Sequence, residues 1–315
     1  MTSRLFSLLF GLLSLVSMPL TAGAGVIKHV IVVAMENTDA KDIYGNTSEA
    51  PFINNVLMPQ AARSSNFIDI LPGLPSLPHY ILMEAGTNKL PDKTFIDNGE
   101  PTASFSTGSR DHLSAQMRAT VAPNKVTWMS YQQSMSSNTG ACPIQSDYPY
   151  APRHNPFVYF RDVSGNPPSK TKRYCAAHHR DYTELAADLA ANRIANYVFI
   201  TPDNCNNMHD QGPPCGSASR IRLGDDWLAS ALPPLITWAN ANSGVVLVLW
   251  DEGTSTNELA FFAVGPGVKK NFVSDLKLTH RSLVSSVETI FGLPILPTVA
   301  TARTFKSLFK AGQFP

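Results

Sequence analysis

Uninterrupted apolar runs, rather than alternating ones, mark the strands of this chain. Six apolar residues follow one another from Val245 to Trp250, and similar runs lie within 26–34 and at 197–200. An unbroken run rich in β-branched residues is typical of a strand buried on both faces, as in parallel sheets covered by helices. Helical patterns separate these runs, so the sequence predicts βαβ units and a mostly parallel sheet of the α/β class.

Several segments have the spacing or the terminal residues of helices. Pro78 suits the first turn of a helix that runs to about Glu84 and stops at Gly86. The pattern over 221–241 is helical, but Pro233 and Pro234 are expected to divide it, because proline lacks the N–H that a helix interior needs. The other predicted helices span 51–62, 110–119, 181–195 and 282–291, and shorter strands are expected at 126–131 and 258–264.

Each of the three buried strands ends in acids, amides or histidines. They are Glu36 and Asn37 after the first strand, Asp203, Asn204, His209 and Asp210 after the second, and Asp251 and Glu252 after the third. The carboxyl ends of parallel strands lie along one edge of the sheet, where ligands bind in open α/β folds, so we expect these groups to meet. Considered alone, Asp251 and Glu252 could equally be a solvated pair of loop acids.

Two further polar residues, Ser76 and His280, stand near predicted helix starts and belong to the same edge. A hydroxyl at a helix N-terminus lies where backbone N–H groups and the helix dipole favour an anion such as phosphate. The alternative is that Ser76 merely caps its helix. His154 lies in a long irregular loop, where a single histidine is more often structural or exposed.

The donor set at this edge combines carboxylates, one amide, two imidazoles and one hydroxyl, without a thiolate. Such donors suit zinc, manganese, magnesium, calcium or iron in a hydrolytic site. One or two divalent ions would offset the clustered negative charge, lower the pKa of a bound water or of Ser76, and hold a phosphoryl oxygen. The pattern therefore favours a metal-dependent hydrolase.

The first 24 residues differ in character from the rest. Arg4 precedes an apolar run from Leu5 to Val16, and a small-residue cleavage site follows at 22–24, which indicates a signal peptide and a secreted or periplasmic product. Losing Arg4 leaves 24 of the 25 basic residues against 24 acidic ones. This balance gives no reason to expect a nucleic acid or an anionic membrane as partner. No later segment is long and apolar enough to predict a membrane span.

Four cysteines lie in the exported portion, and an even number there favours disulfides with three possible pairings. We favour Cys142–Cys175 and Cys205–Cys215, because each pair brackets a loop-like, proline-rich segment. Zinc held by four thiolates is the alternative, although the chain has no C-x2-C spacing. The long irregular stretch at about 132–180 is predicted to be an insertion or lid, since loops of this length are usually binding elements.

Short motifs occur in the order found in a known enzyme family. They are HVIVVAMEN, PFINN, PSLPHY, RHNP, ITPDNCNNMHD, VLVLWDEG, VGPGVK and THRSLV. Over about 26–294 the chain thereby resembles a bacterial family of secreted phosphoesterases in the alkaline phosphatase superfamily. That family comprises acid phosphatases and phosphatidylcholine-type phospholipases C.

The resemblance implies a three-layer α/β/α sandwich, with one phosphoesterase domain over 25–315. It also implies a role for each matching residue. Ser76 matches the nucleophile, and His154 a histidine near the leaving group. The implied metal ligands are Glu36, Asn37, Asp251 and Glu252, with Asp203, His209 and His280 as ligands of a second metal or as phosphate contacts. The implied substrate-binding residues are His79, Asn204 and Asp210.

Two departures from the family pattern stand out. His79 occupies a position where asparagine is expected, and the segment after Glu252 is short, which leaves the role of Asn257 open. The implied reaction is hydrolysis of a small phosphomonoester: Ser76 attacks phosphorus in line, and water hydrolyses the resulting phosphoserine. The leaving group would bind at the disulfide-pinned loop.

Three alternatives remain open at this point. A phospholipase C-type phosphodiesterase would need an apolar approach, which the aromatic residues Tyr148, Tyr150, Phe157 and Tyr159 could supply, although they could equally be part of the core. A sulfatase is disfavoured because Tyr80 stands where formylglycine formation requires arginine. The chain could also be a non-catalytic anion-binding protein that kept the fold.

Overall fold

A computed structural model describes residues 27–135 and 140–315, so the predicted signal peptide at 1–24 lies outside the described residues. The strands are β1 (His29–Met35), β2 (Ala62–Ser64), β3 (Phe67–Ile68), β4 (Lys89–Leu90), β5 (Lys93–Thr94), β6 (Trp128–Gln132), β7 (His179–Asp181), β8 (Tyr197–Thr201), β9 (Gly244–Trp250), β10 (Glu258–Leu259), β11 (Phe261–Val264) and β12 (Phe272–Ser274). The α-helices are α1 (Ala40–Ile43), α2 (Met58–Gln60), α3 (Ser76–Ala85), α4 (Leu113–Ala119), α5 (Arg161–Ser164), α6 (Arg173–Ala177), α7 (Leu185–Ala190), α8 (Arg220–Ala241) and α9 (His280–Phe291).

The central sheet of the described chain has eight strands in the order β12-β2-β11-β9-β1-β8-β6-β7. β1 lies parallel to both of its neighbours, β8 and β9. β11 is antiparallel to β9 and β2, whereas the other pairs in this sheet are parallel. The predicted α/β fold with a mostly parallel sheet is confirmed.

The three strands predicted from apolar runs form the middle of this sheet. Every residue of β8 and β9 is buried, and so are six of the seven residues of β1. α8 packs along β9, while α3 packs against α9. Apolar side chains on both faces of these strands are therefore removed from water, which is why the runs lack polar alternation.

Two predicted helices differ from the observed ones. α8 runs through Pro233 and Pro234 without a break; both prolines are exposed, so water can bind the carbonyl groups that lose their N–H partners. The helix predicted over 181–195 shortens to a 3-10 turn, Tyr182–Glu184, and α7, because the backbone turns left-handed at Asn192 with φ of 53°.

Predicted element boundaries elsewhere hold to within a few residues, with two refinements. The helical stretch expected at 51–62 contains a π-helical turn, Ile53–Leu57, followed by α2. The strand expected at 258–264 is split into β10 and β11, which belong to different sheets. Among the described helices, none is both long enough and apolar enough to span a bilayer.

The segment over 140–180 carries α5, α6 and two 3-10 turns, Pro152–His154 and Pro156–Tyr159. Disulfides join Cys142 to Cys175 and Cys205 to Cys215, as in the favoured pairing. Cys142 and Cys175 are fully buried within the apolar core. The first bridge therefore fixes both ends of the segment to the body of the fold.

Candidate active site

The carboxyl ends of β1 and β9 bring two acidic segments side by side. Met35 and Trp250 are paired at the ends of these strands, so Glu36 and Asp251 leave the sheet together. One carboxyl oxygen from each of Glu36, Asp251 and Glu252 lies within 4.8 Å of the others. The structure thus brings the first and last of the predicted acidic groups together at the expected edge of the sheet.

This acid cluster is buried and carries excess negative charge. Glu36 and Asp251 are 0% exposed. Burial, with the charge of Glu252 beside it, raises the pKa of Glu36 to about 8. Burial and the charge of Glu36 raise the pKa of Asp251 well above its ordinary value. In the described part of the chain no lysine or arginine forms an ion pair with the cluster, whose recorded pair is to His154.

The hydroxyl of Ser76 points into this cluster. Its Oγ lies 3.1 Å from Oε2 of Glu36 and 2.9 Å from Oε1 of Glu252. A hydroxyl has one proton and can donate to only one of these carboxylates at a time. Ser76 is the first residue of α3, whose N-cap is Pro75. The alternative that Ser76 merely caps the helix is therefore wrong.

A second group of metal-ligating atoms lies on the other side of Glu36. It comprises Glu36, His154 and His209, with one ligand atom of each within 4.8 Å of the others. His154 is buried, and burial, together with the charge of Arg153, lowers its pKa well below the ordinary value. Its Nε2 lies 3.2 Å from Oε1 of Glu36. Asp210 holds Nδ1 of His209 at 2.7 Å, the kind of contact that orients a ligating imidazole.

His79 lies beside the acid cluster and supplies positive charge. Its Nε2 is 2.9 Å from Oδ1 of Asp69, and its Nδ1 is 3.0 Å from the carbonyl oxygen of Pro75. Burial opposes protonation, but the hydrogen bond that His79 donates to Asp69 and the charge of Asp251 raise the pKa of His79 to about 9. The imidazolium is fully buried and does not line the cavity, whereas its partner Asp69 does.

His280 is the first residue of α9, one position after the capping residue Thr279. Its Nε2 is 2.9 Å from the carbonyl oxygen of Trp250, whereas the buried Nδ1 has no hydrogen-bond partner among the described residues. Burial lowers the pKa of His280 to about 4. The structure therefore places a neutral imidazole behind the acid cluster, outside both groups of ligating atoms.

The polar residues that follow β8 have two kinds of partner. Some contact the candidate site, and others hold the loop after the strand in shape. Asp203 accepts hydrogen bonds from the backbone of Cys205 and Asn206 at 3.1 and 3.2 Å, so it shapes its own loop rather than joining either ligating group. Asp210 contacts His209 and also accepts from the hydroxyl of Tyr148 at 3.1 Å. Oδ1 of Asn204 is buried without a partner among the described residues.

The aromatic residues proposed as an apolar approach to the site are mainly core. Tyr150, Phe157 and Tyr159 are 3%, 0% and 0% exposed, and Tyr148 alone of the four is exposed, at 51%. Phe157 packs against Trp128, with ring centroids 4.6 Å apart. The possibility that these residues form a lipid-facing surface is therefore wrong, because three of them cannot reach solvent.

An open cavity of about 550 Å³ lies over the acid cluster. Two loops form its rim, 72–75 before α3 and 253–257 after the acidic pair. Its polar lining residues outside these two loops are Asn37, Asp69, Ser76, Asn98, His209 and Glu252. The nucleophile candidate, two acids and a histidine thus share one solvent-accessible space.

Comparison with known families adds a direct test of the predicted class. The sequence model of the Phosphoesterase family matches residues 70–294, well over half of the chain. The chain belongs to the phosphoesterase family. Membership makes it a hydrolase of phosphoric ester bonds.

Individual relatives agree with this assignment of the phosphoesterase. The chain is 28% identical over 276 residues to the phosphatidylinositol-3-phosphatase of Mycobacterium tuberculosis, in an alignment that covers 84% of this chain and 77% of that enzyme. It is 27% identical over 183 residues to a phosphate-repressible acid phosphatase of Penicillium chrysogenum, covering 54% and 40% of the two chains. A protein of the alkaline phosphatase superfamily from Vibrio parahaemolyticus superposes with a TM-score of 0.57 at 9% identity, over 89% and 69% of the chains. That last likeness shows the fold alone.

The site of this phosphoesterase fits a divalent cation. Oε1 of Glu36, Nε2 of His154 and Oδ2 of Asp251 are buried without hydrogen-bond partners in the described residues. Buried polar atoms are normally satisfied, so several such atoms in one place need an explanation. Carboxylate oxygens and neutral imidazole nitrogens are the donors that zinc, manganese and iron accept. The unsatisfied atoms are therefore of the chemical type that a cation would bind.

Two residues of the phosphoesterase site escaped prediction. Asn98 lines the cavity, and its Oδ1 accepts the backbone N–H of Leu77 at 3.0 Å, directly after the nucleophile candidate. Asp39 accepts the backbone N–H groups of 254–256 and so shapes the loop after Glu252. A Cβ on Gly253 would lie 2.3 Å from Oδ1 of Asp39, which explains the glycine. In the sequence, Asn98-Gly99 indicates only a turn. Asp39 has no local feature that would predict its contact with the loop 254–256.

Proposed function

We propose that this phosphoesterase hydrolyses phosphomonoesters in the manner of an acid phosphatase, with Ser76 as nucleophile and a divalent cation as cofactor. The observation that carries the proposal is the contact of the Ser76 hydroxyl with Glu36 and Glu252 inside a group of three acids, two of which are fully buried. Placing three acids around one hydroxyl is costly without a compensating charge. A cation would bind the three acids, and a phosphoryl group would be attacked by the Ser76 hydroxyl, so each of these residues would have a role.

The residues that would hold the cation fall into two sets that share Glu36. One set is Glu36, Asp251 and Glu252, and the other is Glu36, His154 and His209. A bound divalent ion would offset the negative charge and lower the pKa of the Ser76 hydroxyl. Asp203 and His280 are better assigned to support, since Asp203 binds its own loop and His280 binds the carbonyl of Trp250.

In the proposed first step, Oγ of Ser76 attacks phosphorus, the bond from phosphorus to the ester oxygen breaks, and the alcohol leaves after its oxygen takes a proton from water. The hydroxyl proton passes to a carboxylate, for which Oε1 of Glu252 at 2.9 Å is the nearer acceptor. Water then attacks the phosphoserine, which releases phosphate and restores the hydroxyl. Each step transfers the phosphoryl group once, so the two displacements return the enzyme to its starting state.

The phosphoryl oxygens need donors around this path. Asn37, Asn98 and His209 line the same cavity as Ser76 and supply amide and imidazole groups. The backbone N–H of Asn37 is already held by Asp251 at 3.1 Å, which leaves the side chain to contact the substrate. We assign His79 to charge balance and not to direct contact, because it is buried against Asp69.

A monoester is preferred over a lipid-type diester on structural grounds. A phospholipase C would need an apolar surface next to the cavity, and three of the four aromatic residues considered for it are buried. The relatives in Mycobacterium tuberculosis and Penicillium chrysogenum are both named as phosphatases. The lining residues that offer polar groups suit a small, hydrophilic phosphorylated substrate.

Export of the protein is part of the proposal. The two disulfides, Cys142–Cys175 and Cys205–Cys215, are of the kind that persists in oxidising compartments. We propose that 25–315 forms one phosphoesterase domain after removal of the signal peptide near Ala24. The 132–180 region would border the leaving-group side of the site through His154.

The decisive assay compares para-nitrophenyl phosphate hydrolysis by the wild type and by Ser76→Ala, each with and without chelator. We expect Ser76→Ala to lose at least about 10³-fold in kcat, as nucleophile variants of covalent hydrolases do. We expect chelation to abolish wild-type turnover and a divalent ion to restore it. Ser282→Ala is a matched control, since the hydroxyl of this serine accepts the backbone N–H of the cap residue Thr279 and does not line the cavity.

Three outcomes would redirect the proposal. Near wild-type rates in Ser76→Ala would remove the nucleophile. Faster hydrolysis of bis-para-nitrophenyl phosphate or of the phosphorylcholine analogue than of the monoester would favour the phosphodiesterase alternative. Phosphate binding without turnover under every divalent ion supplied would favour a non-catalytic anion-binding protein.

A further inference from the structure

Arg220 occupies an unfavourable position for a cation. It is the first residue of α8, directly after the N-cap Ser219, and this end of a helix repels positive charge. Burial lowers the pKa of its guanidinium, although the charges of Asp42 and Asp39 oppose this shift. The hydrogen bonds recorded for the side chain go to neutral oxygens instead of carboxylates. A placement that costs stability in this way points to a role elsewhere.

The guanidinium joins two loops that carry the proposed metal ligands. Nη1 of Arg220 donates to the carbonyl oxygen of Asn37 and, at 3.1 Å, to Oγ1 of Thr38. The same nitrogen lies 2.9 Å from the carbonyl oxygen of Met208. Asn37 follows Glu36, and Met208 precedes His209, so one side chain spans the backbones on both sides of a ligating group.

Both of these backbones have left-handed conformations. Asn37 has φ of 44° and Met208 has φ of 78°. Such values are uncommon outside glycine and cost free energy, so surrounding contacts must hold them. The carbonyl groups that Arg220 binds belong to these two residues. Arg220 therefore stabilises the two turns that aim Glu36 and His209.

The next turn of α8 packs against the side chain of Met208 at Gly224. A Cβ on Gly224 would lie 2.3 Å from Cγ of Met208, so only glycine leaves room for this side chain. Asn207 adds a third link, because its carbonyl oxygen accepts from the backbone N–H of Glu36 at 2.8 Å. Oδ1 of Asn207 also accepts from the backbone N–H of His209 at 2.8 Å.

We propose that Arg220 is a positioning residue that fixes Glu36 and His209 relative to each other, so that they bind one divalent cation together. This inference rests on the proposed function, since it assumes that the Glu36, His154 and His209 group holds a metal. Arg220 does not line the cavity, and it acts on the site through the backbones of Asn37 and Met208.

The test is calorimetric titration of the chelator-treated, full-length mature protein with Zn²⁺ alone. Arg220→Met keeps most of the side-chain length and removes the donors, and we expect the Kd for Zn²⁺ to rise on the order of 10-fold or more, as for other residues that orient ligands. Arg220→Lys restores one donor group and should recover part of the affinity. Arg222→Met is the matched control: its Nε binds Asp226 at 2.9 Å on the exposed side of the same helix, and its Kd should match the wild type.

Gly224→Ala tests the same support with Arg220 intact and decides the matter if Arg220→Met does not fold. Its Cβ displaces Met208, so the Kd for Zn²⁺ should again rise. A lower Tm in chelator with an unchanged Kd in the Arg220 and Gly224 variants would overturn the inference and leave a purely structural role. Absence of Zn²⁺ binding by the wild type would instead overturn the metal site itself.

Discussion

Two of the buried clusters of histidine and carboxylate groups in the described part of the chain differ in how the imidazole nitrogens are paired with the carboxylates. In the first, Nδ1 of His112 is 3.1 Å from Oε1 of Glu84, and Nε2 is 3.1 Å from Oδ1 of Asp162. In the second, Nε2 of His154 and Oε1 of Glu36 lie 3.2 Å apart, yet neither atom has a hydrogen-bond partner among the described residues.

The charge of the two imidazoles differs accordingly. Burial opposes protonation of His112, but the hydrogen bonds that it donates to Asp162 and Glu84 raise its pKa. Burial and the charge of Arg153 lower the pKa of His154 well below its ordinary value. His112 is therefore a charged structural bridge, whereas His154 presents a neutral nitrogen that can bind a cation. In the proposed function, the same residue types therefore serve structure in one place and chemistry in the other.

The largest expected effect comes from Asp251→Asn in the unsatisfied cluster. Asparagine keeps an oxygen for the backbone N–H groups of Asn37 and Glu252 and replaces the unpartnered Oδ2 by a donor. We expect kcat/KM for para-nitrophenyl phosphate to fall by about 10³-fold or more, because a proposed metal ligand is lost. Steady-state kinetics at saturating metal measures this loss.

The same variant should be at least as stable as the wild type in chelator. Removing a buried, uncompensated carboxylate is expected to raise the free energy of unfolding by about 1 kcal/mol. Urea unfolding in chelator checks this point. A clear loss of stability together with retained activity would show that Asp251 stabilises the fold and does not take part in the reaction.

His112→Gln, in the cluster where both imidazole nitrogens are paired with carboxylates, should show the opposite pattern. It leaves Glu84 and Asp162 without their shared cation, and breaking such a buried pair costs about 3 kcal/mol. None of the three residues lines the cavity, so kcat/KM of the folded enzyme should change little. Urea midpoints with an unchanged m-value measure the first effect. A large loss of kcat/KM without a change in midpoint would contradict the comparison.

The contribution of His112 should also depend on pH. Its pKa is raised above 6.5, so its stabilisation is complete below pH 6.5 and is lost as pH rises through the higher folded value. The pKa of Asp162 is lowered below 3.8 by its bond to His112, despite burial, so its share is present above that pH and is lost on acidification. The stability difference between wild type and His112→Gln should therefore be largest at about pH 4 to 6.5. A difference that grows towards pH 9 would contradict this assignment.

The smallest effect is expected at an exposed pair, which sharpens the contrast with both buried clusters. Arg180 lies 3.0 Å from Glu184, and the two side chains are 37% and 42% exposed. Glu184→Gln should cost no more than about 0.5 kcal/mol, because water and salt screen the pair. Thermal unfolding at low and high salt measures it, and a salt-independent loss above 1 kcal/mol would be unexpected.

The fold was largely predictable because burial leaves a direct trace in the sequence. The unbroken apolar runs of β1, β8 and β9 identified the middle of the sheet, and Gly86, with φ of 68°, marks the end of α3 as expected. Pro233 and Pro234 misled because a proline's effect depends on exposure, which sequence alone does not give. The early end of α7 depends on one left-handed residue, Asn192, whose conformation tertiary contacts set.

The site was predictable in its acids and less so in its surroundings. Glu36, Asp251 and Glu252 follow strand ends, so parallel topology alone brings them together. Asp203 also follows a strand, but its carboxylate turns back to its own loop. Asn98 and Arg220 reach the site region from irregular sequence and from a helix start, and pairings over such distances have no local signature.

The most direct test of the account is the metal content of the purified protein, measured by elemental analysis beside the double variant Glu36→Gln/Asp251→Asn. We predict at least one divalent ion per wild-type chain and none in the variant, which should remain folded. A wild type free of divalent metal and fully active after chelation would contradict the account, as would equal metal content in the two proteins.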